Sequence, residues 1–234
     1  MYKIIIYSAI FFLFLGCNNQ NEESADNSKN TQISEYEKSI LDSLDFDSEI
    51  LKQIRTYTDS VIHIRSLVSE IYYDSVSVFD KTVKDHRGFY FNAEENLARK
   101  IVLELKDKFR NKGYLIYISE SNFGYDPDKI SVIKSTDQFD ILRLEETNGA
   151  NYSIENEDVI DKLQEWNTKF PFEIIAADFD FVEAVFIKNP TDYIYDFSEE
   201  VYKFCPDVVD QGTGSVKELA NQMRISGTLY LWWD

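Results

Sequence analysis

The chain has 234 residues, enough for one sizeable hydrophobic core or two small ones. Its formal net charge of −18 at pH 7 repels nucleic-acid phosphates and anionic lipid headgroups and argues against a nucleic-acid partner. An aromatic content of 15% with only eight glycines and four prolines speaks for a well-filled globular body.

The first residues read MYKIIIYSAIFFLFLGC. One positive charge, Lys3, precedes an apolar run of about a dozen residues, short of the roughly 20 that a membrane-spanning helix needs. That run suits the core of a secretory signal. Phe14-Leu15-Gly16-Cys17 resembles the bacterial lipoprotein signal, in which the cysteine is diacylated and becomes the first residue of an anchored protein. Phe14 stands where that signal usually has an aliphatic residue. The competing reading is an ordinary signal peptide with an incidental cysteine. Removing residues 1–16 takes only Lys3 from the charged set, so the mature chain carries 23 basic and 42 acidic residues, a net charge of 23 − 42 = −19.

Residues 17–33 contain almost no large apolar side chain and are expected to form a flexible polar tether. Glu22 and Glu23 resemble the acidic stretch that routes some bacterial lipoproteins to the outer surface, and a plain spacer reads the same way. With Cys17 acylated, Cys205 is the one remaining cysteine and no intramolecular disulfide can form.

Residues 34–73 predict helix, interrupted at 42–47, where Asp47 and Ser48 offer an N-cap. Ile50, Ile54, Tyr57, Val61, Ile64, Val68 and Ile71 alternate spacings of four and three, a heptad-like seam. Leu51, Ile62 and Leu67 widen it, which favours packing on the body of the chain over a helix-mediated dimer or partner contact. Asp42-Ser43-Leu44, Asp59-Ser60-Val61 and Asp74-Ser75-Val76 resemble a short bacterial O-glycosylation acceptor.

Beyond residue 90 the pattern becomes mixed. Residues 92–111 predict a helix with Leu97, Ile101, Leu105 and Phe109 on one face and Gly113 as its stop. Residues 114–119 and 130–134 predict strands around an Asp126-Pro127 turn, and Asn148-Gly149 marks another turn. Residues 157–168 predict a helix, 172–177 and 182–187 a hairpin, 191–204 and 215–224 two more helices, and 228–233 a last strand. The fold class expected is α+β: a mixed or mainly antiparallel sheet flanked by helices, preceded by an N-terminal helical segment. The expected organisation is a signal at 1–16, a tether at 17–33, a helical segment at 34–90 and an α+β domain at 91–234.

Candidate chemistry is sparse. In Ala176-Ala177-Asp178-Phe179-Asp180-Phe181, Asp178 and Asp180 alternate out of a strand onto one face. With Glu183, Asp207 and Asp210 brought beside them they would form a candidate site for Ca²⁺ or Mg²⁺ through oxygen ligands, or an acid–base pair. In so acidic a chain, solvated or capping carboxylates give the same pattern. Gln211-Gly212-Thr213-Gly214 before Ser215 offers an anion nest or, more simply, a turn and a cap. Cys205 closes a helix before Pro206, among Glu199, Glu200 and Asp207, where a thiolate is disfavoured. The two histidines, His63 and His86, have no metal-ligand spacing with it. Cys205 is therefore expected to be packing, with Pro206, Gly212, Trp232 and Trp233 as structural companions. In Leu229-Tyr230-Leu231-Trp232-Trp233 both faces of the strand are apolar, as for a strand covered on two sides. No phosphate loop, dinucleotide glycine motif, serine elbow or cysteine-pair zinc motif is present, and no cofactor is expected.

Thr147-Asn148-Gly149-Ala150-Asn151-Tyr152, Phe204-Cys205-Pro206-Asp207, Gln211-Gly212 and Tyr230-Leu231-Trp232-Trp233-Asp234 occur in this order over about residues 136–234. In this they resemble a bacterial domain of unknown function, the one numbered 4253. The resemblance implies an identity for the last hundred residues and no mechanism. The function expected is that of a membrane-anchored cell-envelope lipoprotein, outer-membrane and periplasmic or surface-facing, that binds a protein or peptide, with an enzyme the less favoured reading. A metal-assisted hydrolase using Asp178, Asp180 and Asp207, or an immunity protein against a toxin, are the alternatives.

Overall fold

The computed structural model describes residues 32–72 and 79–234, the side chains of residues 67–86 excepted. The expected signal segment, Cys17, the tether up to residue 31 and Asp74-Ser75-Val76 lie outside the described residues.

Helix α1 (Glu35–Leu44) opens on a capping box: Ser34 Oγ accepts from the Glu37 amide at 3.2 Å, and Glu37 accepts from the Ser34 amide at 3.0 Å. Asp45, left-handed at φ 54°, ends it. Helix α2 (Ser48–Arg55) starts where Asp47 accepts from the Glu49 amide at 2.9 Å. It stops at Arg55, whose buried guanidinium donates to the Glu37 carboxylate and to the carbonyls of Thr58 (3.3 Å) and Ser60 (2.8 Å). One cation so ties α1, α2 and the outgoing chain together.

The chain then leaves as strand, which corrects the helix expected up to residue 73. β1 (His63–Tyr72) pairs antiparallel with β2 (Phe79–Ala93), from His63 opposite Tyr90 to Tyr72 opposite Phe79. Ile64, Val68 and Ile71 within β1, with Val61 and Ile62 just before it, are β-branched, a composition that prefers strand and outweighs the three–four spacing. The boundary expected at residue 90 falls inside β2, so the sheet runs across it.

Helix α3 (Glu95–Arg110) leads to β3 (Tyr114–Glu120), β4 (Asp128–Lys134), α4 (Phe139–Glu145), α5 (Asn156–Lys169), β5 (Phe172–Ala177), β6 (Phe181–Phe186), α6 (Ile194–Phe204), α7 (Val216–Ser226) and β7 (Thr228–Trp232). Among the described residues seven strands form one sheet in the order β1-β2-β4-β3-β5-β6-β7. Every neighbouring pair is antiparallel except β3 and β5, whose crossover passes through α4 and α5. The fold is α+β with a mixed, mostly antiparallel sheet.

Helices α1–α3 cover one face and α4–α7 the other, each over its own hydrophobic core. In β3 the alternation is direct: Tyr114, Ile116 and Ile118 enter the first core, Leu115 and Tyr117 the second. Covered on both faces, β3 is buried from Tyr114 to Ser119. A bulge in β5 between Ile174 and Ala176 shifts the register, so Ile174 and Ala177 serve one core, Ile175 and Ala176 the other.

β7 corrects the expectation of a strand covered on both sides. It is an edge strand; Leu229, Leu231 and Trp233 are buried under α6 and α7, while Tyr230 and Trp232 are half-buried on the opposite face. Aromatic side chains large enough to cover an edge read, in sequence, like an interior strand. Among the described residues no helix is long and apolar enough to cross a membrane.

Candidate functional site

The family-like marks, scattered over nearly ninety positions, meet at one end of the sheet around Asp207. Helix α6 ends at Cys205, and Pro206 starts a π-helical turn, Val208–Thr213, its carbonyl accepting from the amides of Val209 (3.0 Å) and Asp210 (2.9 Å). This turn leaves Asp207 2% exposed, its carboxylate bonded within the fold. Asp207 Oδ1 accepts from Tyr152 Oη at 2.6 Å and Gln211 Nε2 at 2.9 Å; Oδ2 accepts from the Asp234 amide at 3.0 Å. Burial raises its pKa, but these three donors more than offset that and hold it below the usual carboxylate range. The same bond pushes the Tyr152 phenol up to about 12.

The other marks join this knot. Cys205 Sγ accepts from the Trp232 amide at 3.3 Å and donates to the Trp232 carbonyl at 3.0 Å. Thr147 Oγ1 donates to the Asp178 carbonyl at 2.7 Å, and the Asn148 amide donates to the Phe179 carbonyl at 2.8 Å. The Trp233 amide donates to the Asp180 carbonyl at 3.0 Å. Gly149 lies under the Trp233 ring: a Cβ there would sit 2.8 Å from Cδ1, so only glycine fits. Phe204 meets the same ring edge-on, centroids 5.8 Å apart. Gly212 is different. A Cβ there would meet only the Asp207 carbonyl, at 3.6 Å, so packing does not demand a glycine.

The three candidate metal ligands stay apart. Asp178 and Asp180 sit in the β5–β6 turn, joined to the Asp207 turn through the main chain of residues 233 and 234 and not through their carboxylates. Asp178 spends an oxygen on the Phe179 amide at 2.8 Å; burial, then the neighbouring Asp180 and Glu120, raises its pKa. Among the described residues no group of three or more acidic, histidine or cysteine side chains is placed to hold a metal ion. Glu183 instead forms a two-pronged ion pair with Arg99, at 2.8 and 2.9 Å. The Gln211–Gly214 stretch is the π-helical turn itself, and Ser215 caps α7 by accepting from the Glu218 amide at 3.2 Å.

A buried polar cluster had no counterpart in the sequence reading. Arg65 (β1) and Tyr117 (β3) both donate to the Glu145 carboxylate (α4), each at 2.5 Å. Arg65 stands opposite Gly88 and Tyr117 opposite Ser131, so small residues let the guanidinium cross two strands. Gly88 is required, since a Cβ would come within 2.0 Å of the Val132 carbonyl oxygen. A glycine inside a strand was the one signal available. Burial, with Asp178 adding to it, pushes the Glu145 carboxyl up to about 7 against the pull of Arg65 and Tyr117.

Three clefts flank these groups. One of about 310 Å³ is lined by Arg87, Lys134 and Arg143 with Asp140 and Glu146. A second, about 120 Å³, lies at the carboxyl ends of β3 and β5, beside the Arg99–Glu183 pair. A third, about 180 Å³, follows the outer edge of β7.

Residues 129–234, which hold all of the marks, match the family model described as Domain of unknown function (DUF4253). No curated protein and no solved structure matches the chain.

Proposed function

We propose that this chain is a lipid-anchored protein of the bacterial cell envelope whose α+β body binds a protein or peptide and performs no chemistry on it. The anchor in this reading is a diacylated Cys17, placed by Lys3, the apolar run and Gly16; residues 17–33 give it reach from the membrane. The location is the outer membrane, on its periplasmic or outer side.

The observation that carries the binding reading is the state of Asp207. Its two oxygens serve three structural donors, which occupies three of the roughly four lone-pair sites of a carboxylate and commits the best-placed acid to holding the turn, Tyr152 and the chain end together. The rival, a metal-assisted hydrolase built on Asp178, Asp180 and Asp207, needs a gathered ligand set.

Crosslinking in intact envelopes followed by pull-down, with Cys17→Ala as control, tests the proposal. The wild type is expected in the membrane fraction, labelled by palmitate and joined reproducibly to one envelope protein. Cys17→Ala is expected to lose both label and membrane. A variant that still fractionates with membranes and takes up palmitate elsewhere overturns the anchor. Heat and thermal stabilisation on adding Ca²⁺ or Mg²⁺, abolished by Asp178→Asn, would replace binding by the hydrolase reading.

A further inference from the structure

The edge strand β7 has an outward side that no other strand among the described residues uses. The direction of each main-chain group follows from its neighbours. The Trp233 amide donates to the Asp180 carbonyl and the Phe186 amide to the Gly227 carbonyl, so residues 233 and 227 face β6. The amide and carbonyl of Trp232 meet Cys205 and face outward. Alternation along an antiparallel strand then points the amides and carbonyls of Tyr230 and Thr228 outward too. Ser226 Oγ takes the Thr228 amide at 3.1 Å. What remains is the amide and carbonyl of Tyr230 and the carbonyl of Thr228, and these front the 180 Å³ cleft. Its far wall is the π-helical turn at Gly212 and helix α7 at Leu219, Gln222 and Met223. Leu219 and Met223 are buried, whereas Gln222 stands exposed at the lip.

We propose that this cleft takes a short extended peptide, laid along β7 as an additional strand with one apolar side chain over Leu219 and Met223. The proposal rests on the binding-module reading and names its site. Main-chain donors and acceptors two residues apart match an extended chain and give it hydrogen bonds regardless of sequence, while the apolar floor selects the side chain. Cys205 occupies the Trp232 position and limits the strand to about three or four residues at roughly 3.3 Å each. It also excludes a second copy of β7: in an antiparallel pair centred on Tyr230, Thr228 would face Trp232, whose groups the thiol already holds. The bare Cα of Gly212, which packing does not demand, leaves the passage open. The cleft lining itself carries no charged side chain, and the exposed Glu218 of α7 is matched by Lys217 and Arg224 on the same helix. The electrostatic preference therefore comes from Asp210 on the turn and the chain's net charge of −18, which favours a peptide with a basic residue beside its apolar one.

A display library of random nonapeptides, selected on the immobilised full chain, supplies the probe. The best peptide is synthesised and its affinity read by fluorescence polarisation. Gln222→Trp fills the lip from an exposed position and is expected to weaken binding at least tenfold with an unchanged melting curve. Gly212→Val, which narrows the passage, should act in the same direction. N-methylation along the peptide is expected to weaken binding at every second residue only, the signature of an added strand. A peptide that binds Gln222→Trp as tightly as wild type, or tolerates N-methylation everywhere, overturns the proposal, and so does a library that yields no binder. The envelope pull-down reads partner capture independently, so the binding-module reading stands or falls by that result.

Discussion

The thiol of Cys205 holds both the amide and the carbonyl of Trp232 and closes the edge strand at that residue. Burial pushes it up to about 12, which keeps the group a thiol at pH 7 and disfavours nucleophilic chemistry. Native protein should resist iodoacetamide at pH 7, and Cys205→Ser should cost roughly 1–2 kcal/mol in urea unfolding, because a hydroxyl is a poorer fit to a buried apolar site. Rapid labelling of the native thiol would show that the turn opens. Glu145 gives the opposite kind of test. Its folded pKa, about 7, lies above the ordinary 4.5, so the folded state holds a proton that the unfolded state has lost between those values. Its contribution is fully present below pH 4.5 and disappears as pH rises through 7. Denaturation midpoints measured from pH 5 to pH 8 should therefore fall in the wild type, by up to about 3 kcal/mol from this group. In Glu145→Gln, which keeps an acceptor for Arg65 and Tyr117, the slope should flatten. Equal slopes in the two proteins would mean that Glu145 ionises normally.

Among the elements, β7 contributes more than its place at the edge suggests. Leu231 and Trp233 are 0% and 3% exposed, and residues 232–234 supply the partners of Cys205, Asp180 and Asp207. Each buried large side chain is worth on the order of 2–3 kcal/mol, against about 5–15 kcal/mol for a whole domain. Deleting Tyr230 to Asp234 should accordingly abolish the cooperative melt seen by circular dichroism; a truncated chain that melts like the full one would show that these residues are not needed to hold the core. The strand was legible because its pattern is local, and so were α3, α5, α7 and the β5–β6 hairpin. The sheet's other edge was not. Val61 to Ile71 satisfies a helical seam and a strand composition at once, and only pairing with β2 decides between them. Helix α4, of seven residues, is too short to show a period and went unassigned. The marks around Asp207 could be recognised as a set, but not their wiring: Tyr152, Gln211 and Asp234 converge on one carboxylate only through the order of the strands. Arg65, Tyr117 and Glu145 carry no motif at all.

For the molecule as a whole, the family match and the folding unit do not coincide. The match begins at residue 129, within β4, yet β3 lies between β4 and β5 in the sheet. A fragment of residues 129–234 would lack β1, β2, α3 and β3. It leaves β4 with neither of its neighbours and β5 with only β6. The whole layer of α1–α3 is missing too, so Ile130, Val132, Ile175, Ala176 and Phe181 lose their cover. Several such side chains, at about 2 kcal/mol apiece for the larger ones, exceed the stability of an ordinary domain. The 129–234 fragment should therefore show no cooperative thermal transition and a collapsed amide proton spectrum. A chain beginning at residue 32 keeps every described element and should melt in a single transition. The ion pairs that cross the cut, Arg99 with Glu183 and Lys106 and Arg110 with Glu173, run from α3 to the far half of the sheet and bind the two parts of the chain into one unit. A fragment of 129–234 with dispersed amide resonances and a sharp melt would require β4 to pair directly with β5, a different sheet from the one described, and would return α1 to β3 to the status of a separate attachment.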